Sequence, residues 1–159
     1  VMKRFMAGAA LAIATIGLAA CDNATDEVVE APDGVPGMSA TNGRMLLAPV
    51  EGNPAAVYFD LKYDGDRALS LSRAAVEGAE SAVMHEYGEY DFKVQMMEML
   101  PVPLTKGTEL TFEPGGKHIM AMNVSPELKP GGTTEVTLIV SGGDKYSFPV
   151  EIRAAGDER

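Results

Sequence analysis

The chain has 159 residues, 46% of them hydrophobic and 23% charged, with a formal net charge of −10. That length suits one domain once the terminal segments are set aside. The acidity disfavours nucleic acid, whose binding is driven by cationic contacts to phosphate. Ten methionines, one cysteine, two histidines and no tryptophan are the unusual features of the composition.

Residues 1–20, VMKRFMAGAALAIATIGLAA, pair a short positive segment at Lys3 and Arg4 with an uncharged apolar run from Phe5 to Ala20. The run is shorter than the roughly 20 residues a membrane-spanning helix needs. The pattern is that of a secretory signal peptide, which stands outside the fold. Leu18-Ala19-Ala20-Cys21 resembles the lipobox of bacterial lipoproteins, in which the cysteine is lipidated and becomes the first residue of the mature chain. Lipidation gives the lone Cys21 a role; otherwise it would be an unpaired thiol in an exported protein. The location expected from this is the periplasmic side of a bacterial membrane, held through a lipid anchor. Loss of Lys3 and Arg4 with the signal takes the charge from −10 to −12. Residues 21–43 are polar, acidic and rich in Pro and Gly, and read as a disordered tether after Cys21.

From residue 44 to 154 the pattern is all-β, with residues 155–159 as a tail. Met45–Ala48 is a short apolar segment stopped by Pro49, and Ala55–Tyr63 alternates in part and is rich in aromatics. Asp64-Gly65-Asp66 marks a turn; Asp60, Asp64 and Asp66 lack the remaining positions of an EF-hand loop. Ala68–Ala75 predicts a strand with Leu69, Leu71, Arg73 and Ala75 on one face, Arg73 lying near its exposed end. Val83–Tyr87 and Phe92–Leu100 flank a turn near Tyr90-Asp91, and Pro101 and Pro103 then break regular pairing. Glu109–Phe112, Ile119–Val124, Thr133–Ser141 and Tyr146–Ile152 complete the set, separated by Pro/Gly turns. Short strands with turns roughly every 8–12 residues predict a Greek-key β-sandwich or barrel.

Both histidines fall in the middle of this domain, at His85 and His118, with methionines at Met96 and Met120. His118 and Met120 are two apart on one strand and therefore share a face. His85 and Met96 lie symmetrically about the expected turn, so a simple hairpin sets them directly opposite each other. Met122 shares the face of His118 and Met120 and is a candidate auxiliary ligand. Met84, Met97 and Met99 are expected as core filler, and Tyr87 and Tyr90 as surface or packing residues. Imidazole with thioether and no thiolate is a donor set for Cu(I). Thioethers form no disulfides, so the set suits an oxidising compartment. Binding is expected to weaken below about pH 6.5 as the histidines protonate. The domain has no cysteine, which excludes blue-copper chemistry. No serine–histidine–acid spacing, phosphate loop or paired-carboxylate signature points to an enzyme.

The spacing His85-x10-Met96-x21-His118-x-Met120 resembles that of the periplasmic copper chaperones of the PCuAC family. Pro114-Gly115-Gly116-Lys117-His118, the run His118 to Met122, and Ala55-Ala56-Val57-Tyr58-Phe59 are similar to that family as well. The resemblance spans roughly Met45 to Ile152. It implies a cupredoxin-like β-barrel that binds Cu(I). It also implies delivery towards the copper-A centre of cytochrome oxidase, with oxidase subunit II or a Sco-type thioredoxin-like protein as acceptor. The chain departs from many members in its lipid anchor and in an acidic hairpin, Glu86 to Gln95, that carries two tyrosines. Two other readings use the same residues: a copper-buffering or sequestering lipoprotein without a dedicated acceptor, and a metal-free β-sandwich interaction module.

Overall fold

The computed structural model describes residues 34–157; the signal segment, Cys21 and most of the tether lie outside the described residues. Ten strands follow one another: β1 Met38–Leu46, β2 Ala55–Tyr63, β3 Leu69–Val76, β4 Ala79–Tyr90, β5 Lys93–Glu98, β6 Val102–Leu104, β7 Thr108–Phe112, β8 His118–Val124, β9 Thr133–Val140 and β10 Lys145–Arg153. They form one sheet in the order β5-β4-β8-β2-β1-β10-β9-β3-β6, with β7 also pairing β2. β1 and β10 run parallel, whereas β2 pairs antiparallel with β1, β7 and β8. The fold is the all-β sandwich or barrel that the strand pattern predicts.

The core follows from alternation. In β2, Val57, Phe59, Leu61 and Tyr63 point inward, and in β9 Val136, Leu138 and Val140 do the same. Phe59 stacks on Phe112 of β7 at 4.3 Å between ring centroids and tilts against Phe148 of β10 at 5.0 Å. Each such pair adds about 0.5–1.5 kcal/mol to the area it buries.

Three elements differ from the sequence expectation. First, the domain starts earlier, because β1 begins at Met38 within the stretch read as tether. Met38 to Thr41 pairs with Tyr63 to Asp60, and the register then shifts before Arg44. Asn42, at φ 56°, sits in that irregularity and breaks the alternation that would have marked the strand. Gly37 (φ 82°) brings the chain onto the backbone of Gly65, where a Cβ would collide, and so seats Val35 and Met38 in the core.

Second, β3 carries a bulge between Leu71 and Arg73. Leu69 and Leu71 are buried, the parity then changes, and Ala74 and Val76 are buried in their turn. Arg73 thus points to solvent from mid-strand, and does not share the face of the two leucines.

Third, the hairpin between β4 and β5 turns one residue later than expected. Its two central residues are Asp91 and Phe92, both with positive φ (50° and 58°), closed by the pair Tyr90↔Lys93. A one-residue shift of the turn moves cross-strand partners by two. Met96 therefore faces Tyr87, and His85 faces Glu98. Positive φ at a phenylalanine is uncommon, which is why no turn signal marks it.

Candidate metal centre

β4 and β8 lie side by side and antiparallel, and their register sets His85 directly opposite His118. The next pair, Met84↔Ile119, is buried in the core. Alternation therefore turns His85 and His118 to the other face of the sheet, together with Val83↔Met120 and Ser81↔Met122. Ring centroids of the two histidines are 5.8 Å apart. On that face β5 brings Met96 back over the site, because Met96 lies diagonal to His85 across the β4–β5 ladder. The expected direct opposition of His85 and Met96 is replaced by this diagonal, and the two still share a face.

The turn before β8 orients His118. Gly116, in the Pro114–Lys117 turn, offers its carbonyl 3.0 Å from His118 Nδ1. A carbonyl can only accept, so Nδ1 carries the proton and donates it. In the neutral ring, Nε2 then holds a bare lone pair, and it lies 3.2 Å from Met96 Sδ. A thioether has no hydrogen to give. Two lone-pair donors therefore face each other at a separation that a shared cation would bridge. Holding the far nitrogen of a ligating histidine with a backbone carbonyl is the usual way its tautomer is set.

His85 supplies a second free donor. Its Nδ1 is buried and has no hydrogen-bond partner among the described residues. Burial, and next the neighbouring His118, push the His85 imidazole below its usual 6.5, against the opposing pull of the Glu98 carboxylate. The neutral, ligating form is thereby favoured. Met120 is half-buried two residues along from His118, flanked by Val83 and by the small Ala56 of β2. Met122 lies opposite Ser81, about 13 Å along the strand from His118 at the usual rise per residue, outside this cluster. Met84 and Met99 are buried in the core, and Met97 lies on the opposite face over Gly88. Among the described residues no group of three or more His, Cys, Asp or Glu that could hold a metal ion forms; the side chains gathered on this face are imidazoles and thioethers. Asp64 and Asp66 are engaged by Lys62 and Lys106, and Asp60 by Asn42, as befits a plain turn.

Three contributors escaped the sequence reading. Tyr87 was expected as surface or packing; its ring lies 5.7 Å from that of His118 and covers the site beside Met96. Its position two residues after His85 on a strand was the available signal. Glu98 opposite His85 and the Gly116 carbonyl depend on the true register and on the turn, and carried none.

The LpqE-like family model matches residues 38–152. A copper-bound PCuAC domain from PmoF2 shares the fold at 20% identity and a TM-score of 0.59, covering 76% of this chain and 96% of that one. The apo PCuAC domain from PmoF1 is 24% identical, with a TM-score of 0.60 and coverage of 76% and 97%. Cu(I)-bound DR1885 from Deinococcus radiodurans, solved in solution, is 25% identical, with a TM-score of 0.54 and coverage of 77% and 80%. Comparison with curated proteins gives no match. The chain belongs to the LpqE-like family and has the fold of the PCuAC domains.

Proposed function

We propose that this protein is a copper chaperone that takes Cu(I) as cargo through His85 Nδ1, His118 Nε2 and the sulfurs of Met96 and Met120. The observation that carries the reading is the facing pair, His118 Nε2 and Met96 Sδ at 3.2 Å, with the other ring nitrogen occupied by Gly116. The orphaned Nδ1 of His85 beside it supports the same reading. So do two structural relatives, one copper-bound and one Cu(I)-bound. Soft, neutral thioethers suit Cu(I), and two imidazoles complete a site without thiolate. The chaperone works outside the cytoplasm, lipid-anchored at Cys21, in keeping with the lipobox and with the lipoprotein in the family's description. It hands copper towards the copper-A centre of cytochrome oxidase, with oxidase subunit II or a Sco-type protein as acceptor. Its role is to bind and hand on an ion, for which the centre offers ligands.

The test is Cu(I) titration of residues 34–159 against a chromophoric chelator, with His118→Ala and Met120→Ala alongside. One tight equivalent lost in both variants is expected. Absence of competition by the unmutated domain would overturn the reading. Transfer to an apo acceptor domain, followed by its copper-A spectrum, separates delivery from buffering.

A further inference from the structure

Among the described residues β5 ends the sheet and pairs only with β4 within the sheet order, and all six of its residues are exposed. The closing pair Tyr90↔Lys93 and the bond from Met99 N to Met84 O, 2.9 Å, fix the ladder's phase. By antiparallel alternation Lys93, Gln95 and Met97 bond to β4. Val94, Met96 and Glu98 therefore turn their N–H and C=O groups outward. The opposite edge is guarded: β6 is three residues long, contains Pro103 and follows Pro101. β5 has neither proline nor bulge, and its charges, Lys93 and Glu98, stand only at its ends.

Exposed apolar side chains flank Met96 on both sides along this edge. Phe92, Val94, Met96 and Leu100 are 94%, 75%, 44% and 80% exposed. Phe92 and Leu100 stand equally far from Met96, on either side of it. We propose that β5 pairs antiparallel with β5 of a second copy, about a two-fold axis through Met96. Phe92 then meets Leu100 of the second copy, Val94 meets Glu98, Gln95 meets Met97, and Met96 meets Met96. No like charges fall directly opposite. Such an isologous contact closes on itself. It sets the two Met96 Cβ atoms about 4.5–5.5 Å apart, so each copy brings a thioether to the rim of the other's metal centre. The pairing itself does not depend on metal.

The contact is one strand wide, below the roughly 1,200 Å² of a stable interface, so the dimer is weak and transient. Glu86, Glu89, Asp91 and Glu98 outweigh Lys93 on each arm, so added salt strengthens the pairing by screening their repulsion.

The experiment is sedimentation equilibrium of residues 34–159, which contain the whole described core, from about 20 µM to 1 mM in 150 and 500 mM NaCl. Amide exchange by NMR accompanies it at both ends of that range. Two variants leave the hairpin intact. Val94→Pro removes an outward N–H, and Phe92→Asn removes the apolar end while tolerating the turn's positive φ. The expected result is reversible dimerisation, stronger at 500 mM NaCl and weakened at least about tenfold by each variant. The amides of Val94, Met96 and Glu98 should gain protection with concentration. A monomer up to 1 mM in both salts, or a dimer unchanged in Val94→Pro, would overturn the proposal. So would protection of those amides only when an alternating Lys-Val peptide is added to dilute protein, which would assign the edge to a foreign cationic strand.

Discussion

Replacing Met96 by leucine separates the metal centre from the fold. The side chain is 44% exposed on an edge strand and contacts His118 through its sulfur. Leucine keeps the volume and the apolar surface, and a volume-conserving swap costs less than about 1.5 kcal/mol even in a core. Half exposure reduces that to about 0.5 kcal/mol or less, within the range of ordinary surface substitutions. The loss at the site is larger. Changing a residue that only supports a ligand costs about 10–100-fold in metal affinity, and a ligand itself should cost at least the upper figure. Met96→Leu is therefore expected to weaken Cu(I) binding about 100-fold, or about 2.7 kcal/mol. Competition with a chromophoric Cu(I) chelator reads the affinity, and urea denaturation of the metal-free protein reads the stability. Unchanged Cu(I) affinity in a folded variant would refute the reasoning, because the 3.2 Å contact with His118 Nε2 would then be incidental.

Two further outcomes follow from the geometry. The pKa of His85 is lowered in the folded state, mainly by burial. The unfolded chain thus binds the proton more readily, and the stability of the metal-free protein should fall as pH drops below about 6.5 towards the folded value. Protonation of His85 should compete with Cu(I) only at lower pH than protonation of an ordinary histidine would. NMR titration of the His85 ring, with denaturation at pH 7.5 and 5.5, checks both, and a midpoint at or above 6.5 would contradict them. Truncation to residues 44–159 should destabilise the domain severely. It removes the buried Val35 and Met38 and the pairing of Met38 to Thr41 with β2. Two such side chains contribute about 3–6 kcal/mol, a large part of the stability of a typical domain. A thermal midpoint equal to that of residues 34–159 would contradict the early start of β1.

The readable parts of this chain obey simple periods. Ala55–Tyr63 alternates in part and is rich in aromatics, and β2 occupies that range without adjustment. The His/Met spacing was visible because only two histidines exist, and β8 carries His118 and Met120 on one face as the period of two requires. What stayed hidden has local causes. The first half of β1 is polar and interrupted near Asn42, so it looked like tether. The bulge in β3 reversed parity at Arg73, and no residue type announces a bulge there. The Asp91-Phe92 turn lacks the Gly or Asn that usually marks positive φ. The one-residue error in its position was enough to exchange the partners of His85 and Met96 and to hide Tyr87 and Glu98 beside the site.

The most direct test of the metal centre is X-ray absorption at the copper edge of residues 34–159 loaded with one equivalent of Cu(I). The proposed ligand set predicts a mixed shell of two nitrogen and two sulfur scatterers, with sulfur reduced in Met96→Leu and nitrogen reduced in His85→Ala. A shell of nitrogen and oxygen alone, or one unchanged by either substitution, would contradict ligation by His85, Met96, His118 and Met120.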